Sequence, residues 1–250
     1  FMHIEGVKDE EIVSESVESR TFGTILHNSM AILYRRFEGK DVCKKDLLAI
    51  LNNQSLIDDI IYKEFKKEKG VEDVKGYNYI ICNLIQRYII KIIKYDLGFN
   101  SFRYIQSEKD IRSSLKLRDG TEVKLKAYID RIDRVNGKLR IIDYKTGRKP
   151  DTMKSLNQLF EQNSSKNLSV FFQLYLYGLM LSPEGESLLL PYFLRELDQK
   201  YQINCTVEDL NSFRELLSSK ISEILNIEMP FIQTASQKSC EYCIFKQICR

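Results

Sequence analysis

"KLKAYIDRIDRVNGKLRIIDYKTG", residues 124 to 147, is the stretch whose reading decides the fold. Two extended apolar runs flank Asn136-Gly137, a strong short-range signal for a β-hairpin. With that pair as a two-residue turn, Val135 faces Lys138, Ile132 faces Ile141, and Asp133 faces Arg140 as an ion pair. Asp130 then lies opposite Asp143. Opposed side chains share one face of a sheet, with Cβ atoms about 4.5–5.5 Å apart. Lys145, two residues beyond Asp143, shares that face. An apolar strand therefore runs into two carboxylates and an ammonium, and a one-residue slip in register would scatter all three.

Two opposed carboxylates repel, and partial burial raises the cost. A hard divalent cation with oxygen ligands is the economical remedy, and Mg²⁺ typically takes one or two carboxylates plus substrate phosphates. Such an ion lowers the pKa of a bound water and polarises a phosphoryl oxygen. Lys145 beside it would orient the water or stabilise developing negative charge. The plain alternative is a solvated strand end, because Asp-x-Lys is a common triplet.

Outward from the hairpin, "KLRDGTEVKLK" carries a second turn signal at Asp119-Gly120, so residues 102 to 147 read as a meander of strands. Upstream, Phe22, Leu26, Met30, Leu33 and Phe37 recur at helical spacing in 19 to 37. Residues 44 to 66 and 77 to 95 also read as helices, with Gly70 and Gly76 in the break between them. Downstream, 169 to 181 reads as a helix, 187 to 205 as two strands and 207 to 226 as a helix. The expectation is a mixed α/β core, its central sheet flanked by helices, with an N-terminal helical portion over 1–100, the core over 101–230 and a Cys-rich tail over 231–250.

The chain has 250 residues, 43% of them hydrophobic, with 13 Phe and 14 Tyr, enough for a sizeable core. The longest apolar run, "NLIQRYIIKII", is interrupted by Arg87 and Lys91 and falls short of the roughly 18 residues of a membrane span. Charge appears early at the amino terminus, so no signal peptide is expected, and the opening "FMH" reads as a cut from a longer chain. Six Cys without a secretory signal point to a reducing, cytoplasmic setting. A net charge of +3 neither demands nor excludes a nucleic-acid partner. Arg35, Arg36, Arg148, Lys149, Lys154 and Lys166 are candidates to line a phosphate track, while most Lys in 61 to 69 read as a solvated surface.

The order "DRID", hairpin, "DYKTG" resembles the RecB-like branch of the PD-(D/E)XK nuclease superfamily, and most closely the nuclease domain of AddB/RecB-type helicase-nucleases. The likeness covers roughly 20 to 250 and implies a restriction-endonuclease-like core. It also implies a metal-associated His in a G-x-x-x-H context, matched by Gly23 and His27, with Gly23 making room beside the imidazole. A Glu on the first core strand is matched by Glu108, and Q-x-x-x-Y on the helix after the Lys strand by Gln173 and Tyr177, which contact nucleic acid or support the site. Mg²⁺ or Mn²⁺ would bind Asp130, Asp143, His27 and the Tyr144 carbonyl. One departure is Tyr128, where the family usually has a small residue, often Gly.

"CEYCIFKQIC" places Cys240, Cys243 and Cys249 at C-x₂-C-x₅-C, which resembles the carboxy-terminal half of the iron–sulfur staple of AddB-type nucleases. The resemblance implies a [4Fe–4S] cluster in the full-length protein, which takes four thiolates. The fourth lies upstream of the His helix in the family and has no match here. Zinc on three Cys and a fourth ligand is the alternative. Cys43, Cys82 and Cys205 read as small core residues. The activity implied is exonucleolytic hydrolysis of single-stranded DNA beside a helicase partner in DNA repair and recombination, leaving a 5′-phosphate and a 3′-hydroxyl. Rival readings are a nucleic-acid-binding module that no longer cuts, an iron–sulfur or zinc scaffold for a helicase, and a restriction-type endonuclease on duplex DNA.

Overall fold

Asn136 and Gly137 both adopt positive φ, 49° and 82°, the left-handed pair that a type I′ hairpin turn requires. The turn joins β3 (Glu122–Val135) to β4 (Lys138–Lys145) with Val135↔Lys138, Asp133↔Arg140 and Ile132↔Ile141 in register, as the sequence predicts. These contacts come from a computed structural model that describes residues 15–150, 152–161, 168–197, 202–230, 232, 240 and 243.

The Asp119-Gly120 turn joins β2 (Ser101–Lys116) to β3. Gly120 takes a φ of 89°, and Asp119 Oδ1 accepts from the Thr121 N–H at 2.9 Å. Three-residue edge strands, β1 (Asp41–Cys43) and β6 (Ile203–Cys205), complete a six-stranded sheet in the order β1-β2-β3-β4-β5-β6. All neighbours are antiparallel except β4 and β5 (Ser187–Phe193), which run parallel and are linked through α5 (Ser169–Leu181). Every residue of β5 is buried, which is how a strand covered on both faces reads. This is the mixed α/β sheet, consistent with a restriction-endonuclease-like fold, that the sequence led us to expect.

Helices cover the sheet from two sides. The core containing Leu26, Met30, Ile61, Ile89, Phe102 and Tyr144 packs α1 (Glu15–Arg35), α2 (Lys44–Leu51), α3 (Gln54–Lys69) and α4 (Tyr77–Asp96) on one side. A second core, with Ile132, Ile141, Phe171, Leu174, Leu189 and Phe213, packs α5 and α6 (Val207–Leu225) on the other. The single helix expected over 44 to 66 is instead α2 and α3. Asn53 starts the second by accepting from the Leu56 N–H at 3.2 Å, a local competition that breaks the helix. Cys82 and Cys205 are buried, with thiol pKa values pushed up to about 11 and about 12 by burial. Cys43, expected in the core, is exposed, with its thiol against Asp46 at 3.0 Å. Among the described residues no helix is long and apolar enough to cross a membrane.

Four charged side chains are buried under the sheet. Arg131 contacts Asp96 at 2.6 Å and Asp133 at 2.8 Å, and Arg140 also grips Asp133, at 2.6 Å through Nη2; all four are fully buried. Tyr34 of α1 and Tyr192 of β5 donate to the two oxygens of Asp96 at 2.7 and 3.0 Å. The guanidinium of Arg131 lies 4.5 Å from the Tyr34 ring centroid, and that of Arg140 lies 4.2 Å from that of Phe99. Two acids and two bases balance, so the network is tolerable only while complete. Asp96→Ala should therefore destabilise the chain by about 3–5 kcal/mol, the cost of orphaning one member of a buried ion pair, read as a drop in the urea midpoint with an unchanged m-value.

Candidate active site

The ladder between β3 and β4 runs to Arg131↔Ile142, which puts Asp130 across from Asp143 at the next step. On its other side β3 pairs with β2 at Ser107↔Arg131 and Lys109↔Ile129, which puts Glu108 across from Asp130. Glu108, Asp130 and Asp143 therefore form a row across three strands. The backbone is irregular here. Glu108 has a φ of 52°, rare for a non-glycine residue, and β2 carries a register shift between Tyr104 and Gln106. In place of a ladder bond, Asp130 Oδ2 accepts the Tyr144 N–H at 2.7 Å. Strain at such a point is expected where charges are crowded for a purpose.

His27 reaches this row from α1. Its Nδ1 lies 3.3 Å from Asp130 Oδ1 and 4.0 Å from Glu108 Oε1, and its Nε2 lies 3.3 Å from the Tyr144 carbonyl. Burial opposes the imidazolium, but the hydrogen bond and charge of Asp130, then the charges of Glu108 and Asp143, outweigh it and raise the pKa of His27. Gly23 does not make room for the ring, because a Cβ there would meet nothing within 4 Å. Burial, then the neighbouring Asp130, pushes the Glu108 carboxyl up to about 7. The same two causes raise the Asp143 carboxyl against the pull of Lys145.

Lys145 Nζ sits 2.7 Å from Asp143 Oδ2 and donates to Gln173 Oε1 at 3.0 Å. Gln173 donates to the Tyr177 hydroxyl, which in turn donates to the Tyr128 carbonyl at 2.7 Å. The predicted pair on α5 thus forms a relay from the ammonium back to β3. Tyr128 itself is 53% exposed. Arg148 is exposed beyond the end of β4. Lys63 and Lys67, which read as solvated surface in the sequence, line a cleft beside Glu108 with Arg35. That clustering depends on how α3 packs on α1 and has no local signature. Cys240 and Cys243 are described, whereas Cys249 and Lys166 lie outside the described residues.

Ligand atoms of His27, Glu108 and Asp130 all lie within 4.8 Å of one another. Oxygens on opposite sides of a bound Mg²⁺ are about 4.2 Å apart, twice its bond length, so a small inward adjustment would let the three share an ion. Asp143, expected as the second half of the pair, does not come within that span of all three. The Tyr144 carbonyl, expected as a ligand, faces His27 Nε2 instead, the position of an outer-shell partner that orients a ligating ring. The donor set has capacity to spare. Glu108 Oε1 and both Asp143 oxygens are buried and accept no well-directed hydrogen bond, although Lys145 stands close to one of them. Buried orphan carboxylate oxygens are what a hard cation would satisfy.

The model of the PD-(D/E)XK nuclease superfamily matches residues 1–250. The chain belongs to the PD-(D/E)XK nuclease superfamily. Membership makes it a phosphodiester-hydrolysing nuclease of a type that uses divalent metals, and the acidic row with His27 is where such an ion fits. No curated protein matches the chain. Among solved structures, the crystal structure of SSO0001 is similar over 99% of this chain and 90% of its own, at 16% identity and a TM-score of 0.37, too distant to carry an argument.

Crowding in this PD-(D/E)XK site should be visible in stability. Glu108 holds its proton to about pH 7 when folded, against an ordinary value of 4.5. Its favourable contribution is therefore complete below pH 4.5 and fades as pH rises through about 7. In EDTA, E108Q should raise Tm at pH 8 and flatten the decline between pH 5 and 8. Added Mn²⁺ should raise the wild-type Tm more at pH 8 than at pH 5.5, because protons compete for the same oxygens, and this rise should shrink in E108Q.

Proposed function

We propose that the chain is a Mg²⁺- or Mn²⁺-dependent deoxyribonuclease of the RecB/AddB type. The observation that carries the reading is the convergence of His27, Glu108, Asp130, Asp143 and Lys145, drawn from α1 and three adjacent strands, on one strained point of the sheet. His27, Glu108 and Asp130 would hold the ion, with Asp143 completing the acidic wall beside it. Bound there, a divalent cation would supply a water of lowered pKa and Lewis-acid polarisation of the phosphoryl oxygen.

The chain's own groups do the positioning. Lys145, held between Asp143 and Gln173, keeps its ammonium at the acidic row, where it orients the attacking water or stabilises charge developing on the phosphoryl oxygens. Tyr177 fixes Gln173, and so fixes Lys145 at one remove. Nε2 of His27, against the Tyr144 carbonyl, sets the ring so that Nδ1 faces the carboxylates.

The finer assignments follow from the resemblance carried by "GTILH", "DRID", "DYKTG" and "QLYLY", and for the cluster by "CEYCIFKQIC". They are exonucleolytic action on single-stranded DNA, a helicase partner, a role in DNA repair in the cytoplasm, and a [4Fe–4S] cluster on Cys240, Cys243 and Cys249 in a longer chain. What supports the nucleolytic ones is that the first four motifs meet at one site.

D143A and K145A should each lower cleavage of 5′-labelled single-stranded DNA in Mn²⁺ by at least about 10²-fold while the circular dichroism spectrum is unchanged. Q173A should lower it less, because Asp143 still holds the ammonium. Full activity in D143A or K145A would refute the reading.

A further inference from the structure

A cleft of about 710 Å³ opens between α1, α3 and β2, and Glu108 of the acidic row forms part of its wall. That volume is in the range of small-ligand sites, roughly 300–1,000 Å³. Its charges nearly cancel. Arg35, Lys63 and Lys67 are offset by Glu38, Glu64 and Glu108, and Glu64 is engaged by Asn28 at 3.0 Å and Lys67 at 3.7 Å. Such a cleft is not the strongly positive track on which backbone-driven duplex binding depends. A chain that binds here needs another source of affinity.

Tyr128 stands at the cleft wall, half exposed to solvent although its backbone is tied down. Its carbonyl accepts from the Tyr177 hydroxyl, and its backbone is paired with Asp110 of β2. The same Tyr177 leads through Gln173 to Lys145. A flat ring carried on a backbone held by the ammonium relay needs little rearrangement to meet a ligand, which lowers the entropic cost of using it as a contact.

We propose that Tyr128 is the specificity-determining residue of this site, its ring stacking an unpaired base of a single nucleic-acid strand whose backbone enters the cleft. Bases inside a duplex already have both faces covered by neighbours, whereas a base in a single strand can lay one face on an aromatic side chain. The ring therefore favours unpaired strands over paired ones without reading sequence. The inference rests on the nuclease reading for the class of ligand, and it assigns the strand preference to one side chain.

The chain has no Trp, so Y128W places a sole indole reporter at the position in question. Binding is measured in EDTA, where nothing is cut, with a fluorescein-labelled 12-nucleotide single strand and the matching blunt duplex. Y128A should lower the ratio of single-strand to duplex affinity by about tenfold, within the range of base–aromatic stacking. Y128F, which keeps the ring and loses only the hydroxyl, should retain the wild-type ratio. Indole emission in Y128W should be quenched by the unlabelled single strand and far less by the duplex. An unchanged ratio in Y128A, a Y128F loss equal to that of Y128A, or unquenched emission would each overturn the proposal. If the stacking results hold in a wild type that cuts nothing in Mg²⁺ or Mn²⁺, the platform is supported and the nuclease reading falls. A wild type that binds neither strand form overturns both.

Discussion

The buried ion network of Asp96, Arg131, Asp133 and Arg140 is the constraint on which the rest of this molecule depends. Asp96 ends α4, accepts from Tyr34 of α1 and Tyr192 of β5, and pairs with Arg131 of β3. Through that one carboxylate, the helix that carries His27 is tied to the strand that carries Asp130. Burying two acids and two bases is tolerable only when every charge finds its partner, so few arrangements of α1 on the sheet are permitted. Arg131 immediately follows Asp130 in β3. Its guanidinium is locked between Asp96 and Asp133, and the backbone that presents Asp130 is locked with it.

On that fixed support the site accepts local disorder of charge. Glu108, Asp130 and Asp143 lie in a row where like charges repel, and the β-ladder is irregular at the same point. The cost appears as raised proton affinity at Glu108 and Asp143 and as buried oxygens without directed hydrogen bonds. A structure selected for stability alone would replace one of these acids. Keeping all three beside a histidine and a lysine is the mark of a site whose stabilising partner arrives from solution. The second face of the arrangement, the relay Lys145–Gln173–Tyr177–Tyr128, draws on α5 from the opposite helical layer, so both layers converge on the carboxylates.

The hairpin was legible in the sequence because its cause is local. Asn136-Gly137 is the pair that can hold two successive positive φ angles, and once the turn is set, every partner down the two strands follows by counting. Val135↔Lys138 through Arg131↔Ile142 come from that arithmetic, and so does the opposition of Asp130 and Asp143. The helices read over 77 to 95 and 169 to 181 were also legible, found over Tyr77–Asp96 and Ser169–Leu181. The break at Asn53 was not, because a side chain capping its own backbone three residues on competes with a helical pattern that looks continuous.

Sequence by itself therefore determined the turns, the strand partners within the β3–β4 hairpin and the residue types gathered for chemistry. Beyond the opposition of Asp130 and Asp143, tertiary structure decided which of those residues meet. It brought Glu108 against Asp130 through the long pairing of β2 with β3. It turned the Tyr144 carbonyl toward His27 Nε2, and set the exposed Lys63 and Lys67 along the rim of the cleft that Glu108 also lines. It also drew Asp96, some 35 residues from Arg131, into the charge network that holds α1 in place. Those outcomes depend on packing between elements distant in the chain. No periodicity or local propensity encodes such packing, because each element can form its own backbone bonds without regard to where its neighbours will lie.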